Sequence, residues 1–308
     1  MSTHGAVDTQ GGGGNGADAP QARKRTFIAA LITAPCVLVL LIFMILPLLW
    51  IVRISFYETV QGTTMNPAWV LDQYTRFLGD LWYLRNVVWL SIAVAVISTA
   101  ATVVLAYPIA IHVSRATGVR RQILQTLILS PLLIGLISLV FGWIVILRSG
   151  GLLNSLTMWL GFVDAPVRYL YAMPAVYILL VYLGIPFVVM TLLDNFERIE
   201  STLLEAAANA GASDWRIFRS VILPLTLPGL NAGVLVLFAL NFSAFAIPLM
   251  VGSANTNLIG LVVYKQAMQL GNLPFAAAIS IIMVAVSATL LIIYSRLMQR
   301  WFLWRLGI

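Results

Sequence analysis

Six long apolar runs, set apart by short polar interruptions, dominate the pattern along the chain. They fall at about 27–55, 85–113, 122–147, 172–193, 225–251 and 275–296. Each run is long enough to cross a hydrocarbon core of about 30 Å as one helix. The first has 29 residues and makes about 40 Å of helix, so Pro35 and Pro47 are the expected bends. Residues 1–26 open with Gly11 to Gly14 and almost no large apolar side chain, which predicts a disordered tail. The charged stretch Arg23-Lys24-Arg25 precedes a run too long for a cleaved signal, so the first span is retained. The pattern predicts an all-α polytopic membrane protein of six transmembrane helices over 27–300, followed by a short C-terminal segment, 301–308.

Composition agrees with that class. With 61% hydrophobic and 9% charged residues and a mean hydropathy of +0.96, the chain is too apolar for a soluble domain of this length. A formal charge of +7 raises the question of nucleic acid. The basic residues, however, lie in short clusters between apolar runs rather than along one face, and that excludes it. Their distribution orients the chain instead. Twelve Lys or Arg fall in the tail, the loop at 114–121, the loop at 194–224 and the C-terminal end from Arg296, against six at the other surface. The positive-inside rule places both termini in the cytoplasm of a multi-pass inner (plasma) membrane protein. Trp69, Tyr74, Trp82 and Tyr83 then sit in an outer loop at the headgroup boundary.

Several chemistries are excluded by what is missing. All 11 acidic residues lie in the tail, the loops or the span ends, so no carboxylate stands at mid-membrane where an ion-coupled carrier needs one. His112 lies at a span end and reads as a packing or interfacial residue. The lone Cys36 supports neither a disulfide nor a metal site. A zinc-protease His pair and a nucleophile turn are both absent, so the chain is not expected to be an enzyme. A phosphate-binding loop needs Lys followed by Ser or Thr. The only two lysines, Lys24 and Lys265, precede Arg25 and Gln266, so any ATP that drives transport binds another polypeptide.

The longest polar interruption, Asp194 to Pro224, holds five of the 11 acidic residues. Thr202 and Glu205 have capping-box spacing and predict a short helix from about Leu203. Ala206 and Ala207 extend it, and Gly211 takes the left-handed conformation that ends it. Ser213 is the expected cap of a second helix, Asp214 to Ile222, which Pro224 stops. The product is a helix-Gly-helix hook too polar to cross a bilayer.

Glu205-Ala206-Ala207, three residues, Gly211, nine residues, and Val221-Ile222-Leu223-Pro224 closely resemble the EAA motif of permease subunits from binding-protein-dependent ABC importers. Val221 stands where that family usually has Ile. A second stretch resembles the spermidine/putrescine branch: Phe238 to Pro248, Val251-Gly252, and Asn272-Leu273-Pro274-Phe275-Ala276-Ala277-Ala278-Ile279-Ser280. It departs at Leu273, Ala276 and Ser253, where the branch has Trp, Gly and commonly a second Gly.

The resemblance implies a type I importer permease that forms the substrate path. Its coupling residues are Glu205, Ala206, Ala207, Gly211, Leu223 and Pro224. Implied partners are an ABC ATPase dimer that carries ATP and Mg, a second permease subunit (copy or paralogue), an extracytoplasmic substrate-binding protein, and membrane lipid. No cofactor is implied on this chain itself. The cargo implied is polyamine-like, with ferric iron, sulfate or aminophosphonate as alternatives within the class. An ion-coupled secondary transporter and a membrane scaffold are the alternatives outside it. Asn231, Asn241 and Ser243 are candidate path residues that serve equally to bond a neighbouring helix.

Overall fold

A computed structural model describes residues 18–59 and 65–306. The chain divides into two units at Arg53. The first unit carries helix α1, Asp18–Ile54, which runs through Pro35 and Pro47 as one uninterrupted helix. The tail expected over 1–26 is corrected in part. Residues 18–26 are the first turns of α1, and residues 1–17 lie outside the described residues.

The second unit is helical apart from one small antiparallel ladder, β1 (Glu58–Thr59) with β2 (Met65–Asn66), in which Glu58 pairs with Asn66. Short helices α2 (Asp72–Gly79) and α3 (Leu81–Tyr83) follow. A π-helical turn over Leu84–Trp89 joins α3 to α4, Leu90–Ser114. The run expected as one span over 122–147 is instead two helices, α5 (Gly118–Leu133) and α6 (Leu136–Leu147), broken at Ile134–Gly135. Pro131 sits near the end of α5, where a missing N–H and a bulky ring favour a stop. Helix α7 (Leu152–Trp159) and α8 (Met173–Phe196) come next.

The hook carries α9 (Ser201–Asn209) and α10 (Asp214–Ile217). A π turn over Phe218–Ile222 then leads into α11, Leu223–Phe242. The fifth expected run, 225–251, is likewise interrupted. α11 ends at Phe242, and the short α12, Ala246–Val251, follows a three-residue break. Helix α13 (Ile259–Tyr264) and a π turn over Lys265–Gln269 precede α14, Leu273–Leu306, which extends beyond the sixth expected span and through most of the expected C-terminal segment. Among the described residues, six helical stretches are long and apolar enough to cross a bilayer: Val37–Ile54, Leu81–Ser114, Leu136–Trp159, Met173–Phe196, Asp214–Phe242 and Leu273–Arg300.

Helices α4, α8 and α11 pack on one another at the centre of this unit. Lipid tails are as apolar as leucine, so burial alone does not drive helices together in a bilayer, and close packing by small residues does. On α4 the buried face carries Ser91, Ala95, Ser98, Thr102, Ala106 and Ala110. On α8, Gly184 faces Thr102 and Leu237 so closely that an added Cβ would meet both at 2.9–3.0 Å. On α11, Gly233 faces the Thr191 hydroxyl in the same way, at 2.6 Å. The hydroxyls of Ser98 and Thr102 donate to carbonyls of their own helix, so these buried polar groups are satisfied without leaving α4.

Hydrogen bonds then join helices across long sequence distances. Ser91 Oγ accepts the Ile259 N–H at 2.7 Å and so caps α13. The Tyr107 hydroxyl lies 2.6 Å from Thr226 Oγ1, Asn241 Nδ2 donates to Thr99 Oγ1 at 3.2 Å, and the Tyr294 hydroxyl donates to Asn231 Oδ1 at 2.9 Å. Gly260 in α13 passes hard against the break after α11: a Cβ there would fall 2.4 Å from the Ser243 carbonyl oxygen.

Candidate coupling site

The hook spans the end of α8 to the start of α11, and its turn is built as the alanines and Gly211 predict. The Ala212 N–H donates to the Ala207 carbonyl (3.1 Å) and the Gly211 N–H to the Ala208 carbonyl (2.9 Å). This pair of bonds is a Schellman motif, which needs a left-handed residue just past the helix C-cap. Gly211 supplies it with φ +78, and no atom lies within 4 Å of where its Cβ would be. The requirement for glycine is therefore conformational, with no steric part.

Two local expectations are corrected. Helix α9 starts at Ser201 with Glu200 at the N-cap, two residues ahead of the expected start at Leu203, and no side chain caps it. The Thr202 hydroxyl donates to the Glu200 carboxylate at 3.2 Å, so the Thr202–Glu205 box does not form. Ser213 does stand at the N-cap of α10 with extended backbone, but its side chain makes no capping bond.

Pro224, expected to stop the second helix, sits in the first turn of α11 instead, and the chain stays helical through it. The π turn before it explains this. There the Leu223 N–H reaches back five residues to the Phe218 carbonyl. The bonding ladder is thereby shifted at the point where Pro224 has no N–H to give.

Aromatic side chains hold the base of the hook. Tyr107 of α4 receives Phe196, from the chain entering the hook, edge-on at 6.0 Å, and Phe218, from the chain leaving it, edge-on at 5.6 Å. Trp215 stacks on Phe218 at 5.3 Å and remains largely exposed. Arg121, at the start of α5, forms an ion pair with Glu197 on the hook's entry side. The next arginine, Arg120, lies 3.1 Å from His112 Nε2. The tip is different. Glu205 and Ala206 are exposed, and the Glu205 carboxylate makes no hydrogen bond or ion pair with any described residue.

The candidate path residues separate. Asn241 is buried and bonded to Thr99 on α4. Asn231 accepts from Tyr294 of α14, and Ser243 donates to the Ala239 and Leu240 carbonyls within α11. Sequence reasoning missed Tyr107, Thr226 and Asn195. A Gly-x-x-x-Gly spacing at Gly229 and Gly233 was the available signal for the last. Among the described residues no group of three or more metal-ligating side chains gathers.

Residues 152–303 match the family described as binding-protein-dependent transport system inner membrane component. The spermidine/putrescine transport system permease protein PotB of Escherichia coli (strain K12) is 35% identical over 257 residues, covering 83% of this chain and 93% of that protein. The chain belongs to this family. The permease is also 26% identical over 275 residues to the inner membrane ABC transporter permease protein YdcU of the same strain, covering 82% of this chain and 87% of that one.

Among solved structures, a chain of the bacterial alginate ABC transporter in complex with alginate pentasaccharide-bound periplasmic protein superposes with a TM-score of 0.72 at 17% identity. It covers 92% of the permease and 97% of that chain. The permease is therefore an ABC importer subunit with the importer permease fold, a multi-pass inner-membrane protein and not an enzyme.

Proposed function

We propose that the permease imports a polyamine of the putrescine or spermidine type and is driven through the hook by a separate ATPase. The observation that carries the coupling half is the exposed, unpartnered Glu205 on a helix whose turn is fixed by Gly211 and whose base is fixed by Tyr107. Motion of a docked partner passes through such an element as a lever, because the packed base leaves little slack. The 35% identity to a spermidine/putrescine permease supports the cargo.

In this reading the hook and both termini face the cytoplasm. An ATPase dimer binds ATP and Mg there, a second permease subunit completes the path, and a loaded binding protein docks on the outer loops. Glu205, Ala206, Ala207, Gly211, Leu223 and Pro224 form the coupling element, and no cofactor binds this chain. ATP closure of the ATPases rocks the spans from inward-open to outward-open.

The test is co-purification of the tagged chain from its native membrane, with Glu205→Lys alongside. The native chain is expected to bring down an ATPase and a binding protein that holds a polyamine, and the variant to lose the ATPase. A native chain that emerges alone and moves solute down an ion gradient would overturn the reading.

A further inference from the structure

The two broken helices meet. A cavity of about 410 Å³ lies where the α5–α6 break and the end of α11 face each other, walled by Pro131, Ile134, Gly135, Gly184, Leu240 and Ala244 among others. No ionisable side chain lines it, and Asn241 is the one polar side chain that does. Asn241 is only 4% exposed. Its amide nitrogen is already committed to Thr99 Oγ1, whereas its carbonyl oxygen has no partner among the described residues. That oxygen keeps accessible surface, so it is free to accept from a group that enters.

The α5 end adds to it. The Pro131, Leu132 and Leu133 carbonyls accept no backbone hydrogen bond among the described residues. The first amides of α6 arise from the same break and offer the opposite polarity, so the backbone by itself selects neither charge. Selection falls to Asn241, which brings a carbonyl acceptor while Thr99 holds one of its amide hydrogens. Non-helical backbone at membrane depth is tolerated where it lines a path for polar cargo.

We propose that this cavity is a cargo way-station in which the Asn241 carbonyl oxygen accepts a hydrogen bond from an ammonium N–H of the passing substrate. The inference rests on the importer reading and assigns that path its recognition chemistry. A neutral acceptor holds an ammonium group well enough to admit it and weakly enough to release it, which a carboxylate would not. The contact is a charge-assisted hydrogen bond with no salt bridge to break.

The experiment uses the intact complex, with its ATPase and binding protein, reconstituted in liposomes with radiolabelled putrescine. Uptake is read per ATP hydrolysed, so that a folding or docking lesion, which lowers both, is separated from a lost cargo contact. Asn241→Leu is expected to keep binding-protein-stimulated hydrolysis within about twofold while uptake per ATP falls about tenfold, the loss of one hydrogen bond to a charged group. Asn241→Gln, which keeps a neutral amide oxygen as acceptor, is expected to restore most of it. Asn241→Ala replaces the Leu variant if that complex does not assemble.

Native uptake per ATP in the Leu or Ala variant, or a Gln variant as impaired as Leu, would overturn the role of Asn241 and leave the importer reading intact. A native complex that hydrolyses ATP on addition of its loaded binding protein but carries no putrescine would overturn the cargo reading and this inference together.

Discussion

Asn195 lies directly over Gly229: a Cβ on Gly229 would fall 1.6 Å from Asn195 Nδ2. Asn195 Nδ2 in turn donates to the Thr191 carbonyl at 2.6 Å, and the Thr191 hydroxyl covers Gly233. Two residues one turn apart on α8 thus lock over two glycines one turn apart on α11. The lock sits where the chain enters and leaves the hook. It holds α8 and α11 at a fixed separation there.

Gly229→Ala should therefore push the Asn195 amide off Thr191 or part the helices, at a cost of about 1–3 kcal/mol. A lower unfolding temperature of the detergent-solubilised permease is the expected result. Adding Asn195→Ala should recover much of the loss, because the clash is with that one side chain. Two independent losses that simply add would argue against the lock.

Gly211→Ala places a side chain at φ +78 with open space around it, so the whole penalty is backbone strain of about 1–2 kcal/mol. The hook is exposed, so the strain should distort its turn rather than unfold the spans. Less ATPase should be recovered in pull-downs at an unchanged unfolding temperature of the permease. Gly211→Val should be worse on the same measurement. Full ATPase recovery with either variant would remove Gly211 from the coupling role.

Tyr107 does two things that substitution can separate. Tyr107→Phe loses only the bond to Thr226, about 1 kcal/mol, and should keep ATP-driven uptake. Tyr107→Ala removes the ring against which Phe196 and Phe218 both rest, about 3–5 kcal/mol of packing. Uptake per ATP in reconstituted liposomes should fall in the Ala variant and hold in the Phe variant.

At the far end of the fold, Asn154 is fully buried. Its side chain donates to the Arg148 and Val167 carbonyls at 3.2 and 3.0 Å and accepts the Val167 N–H at 2.8 Å. One side chain closes the loop between α7 and α8. Asn154→Leu leaves three backbone groups without their partner and should destabilise that loop by about 2–4 kcal/mol. Limited proteolysis should then cut within 160–172 first, and an unchanged cleavage pattern would refute the closure.

The chain's class and its hook were open to reading before any coordinates, because both are local. Six apolar runs report the solvent each segment meets, and Glu205-Ala206-Ala207 with Gly211 reports a turn whose backbone only glycine adopts without strain. The capping box failed because spacing permits a bond without requiring it, and the Glu200 carboxylate two residues away took the Thr202 hydroxyl. Pro224 misled in a similar way, since a π turn five residues long absorbed the missing donor.

What the tertiary structure alone decided is which apolar positions face protein. In a soluble helix an apolar stripe marks the packed face, but a spanning helix is apolar all round, so hydropathy is silent about which side meets α8 and which meets lipid. The lock of Asn195 on Gly229, the hub at Tyr107 and the meeting of two helix breaks around Asn241 all depend on contacts between residues far apart in the chain. Hydropathy marks which stretches are apolar enough to enter a bilayer. Only packing between segments decides which polar atom is satisfied and which is left open toward the cavity.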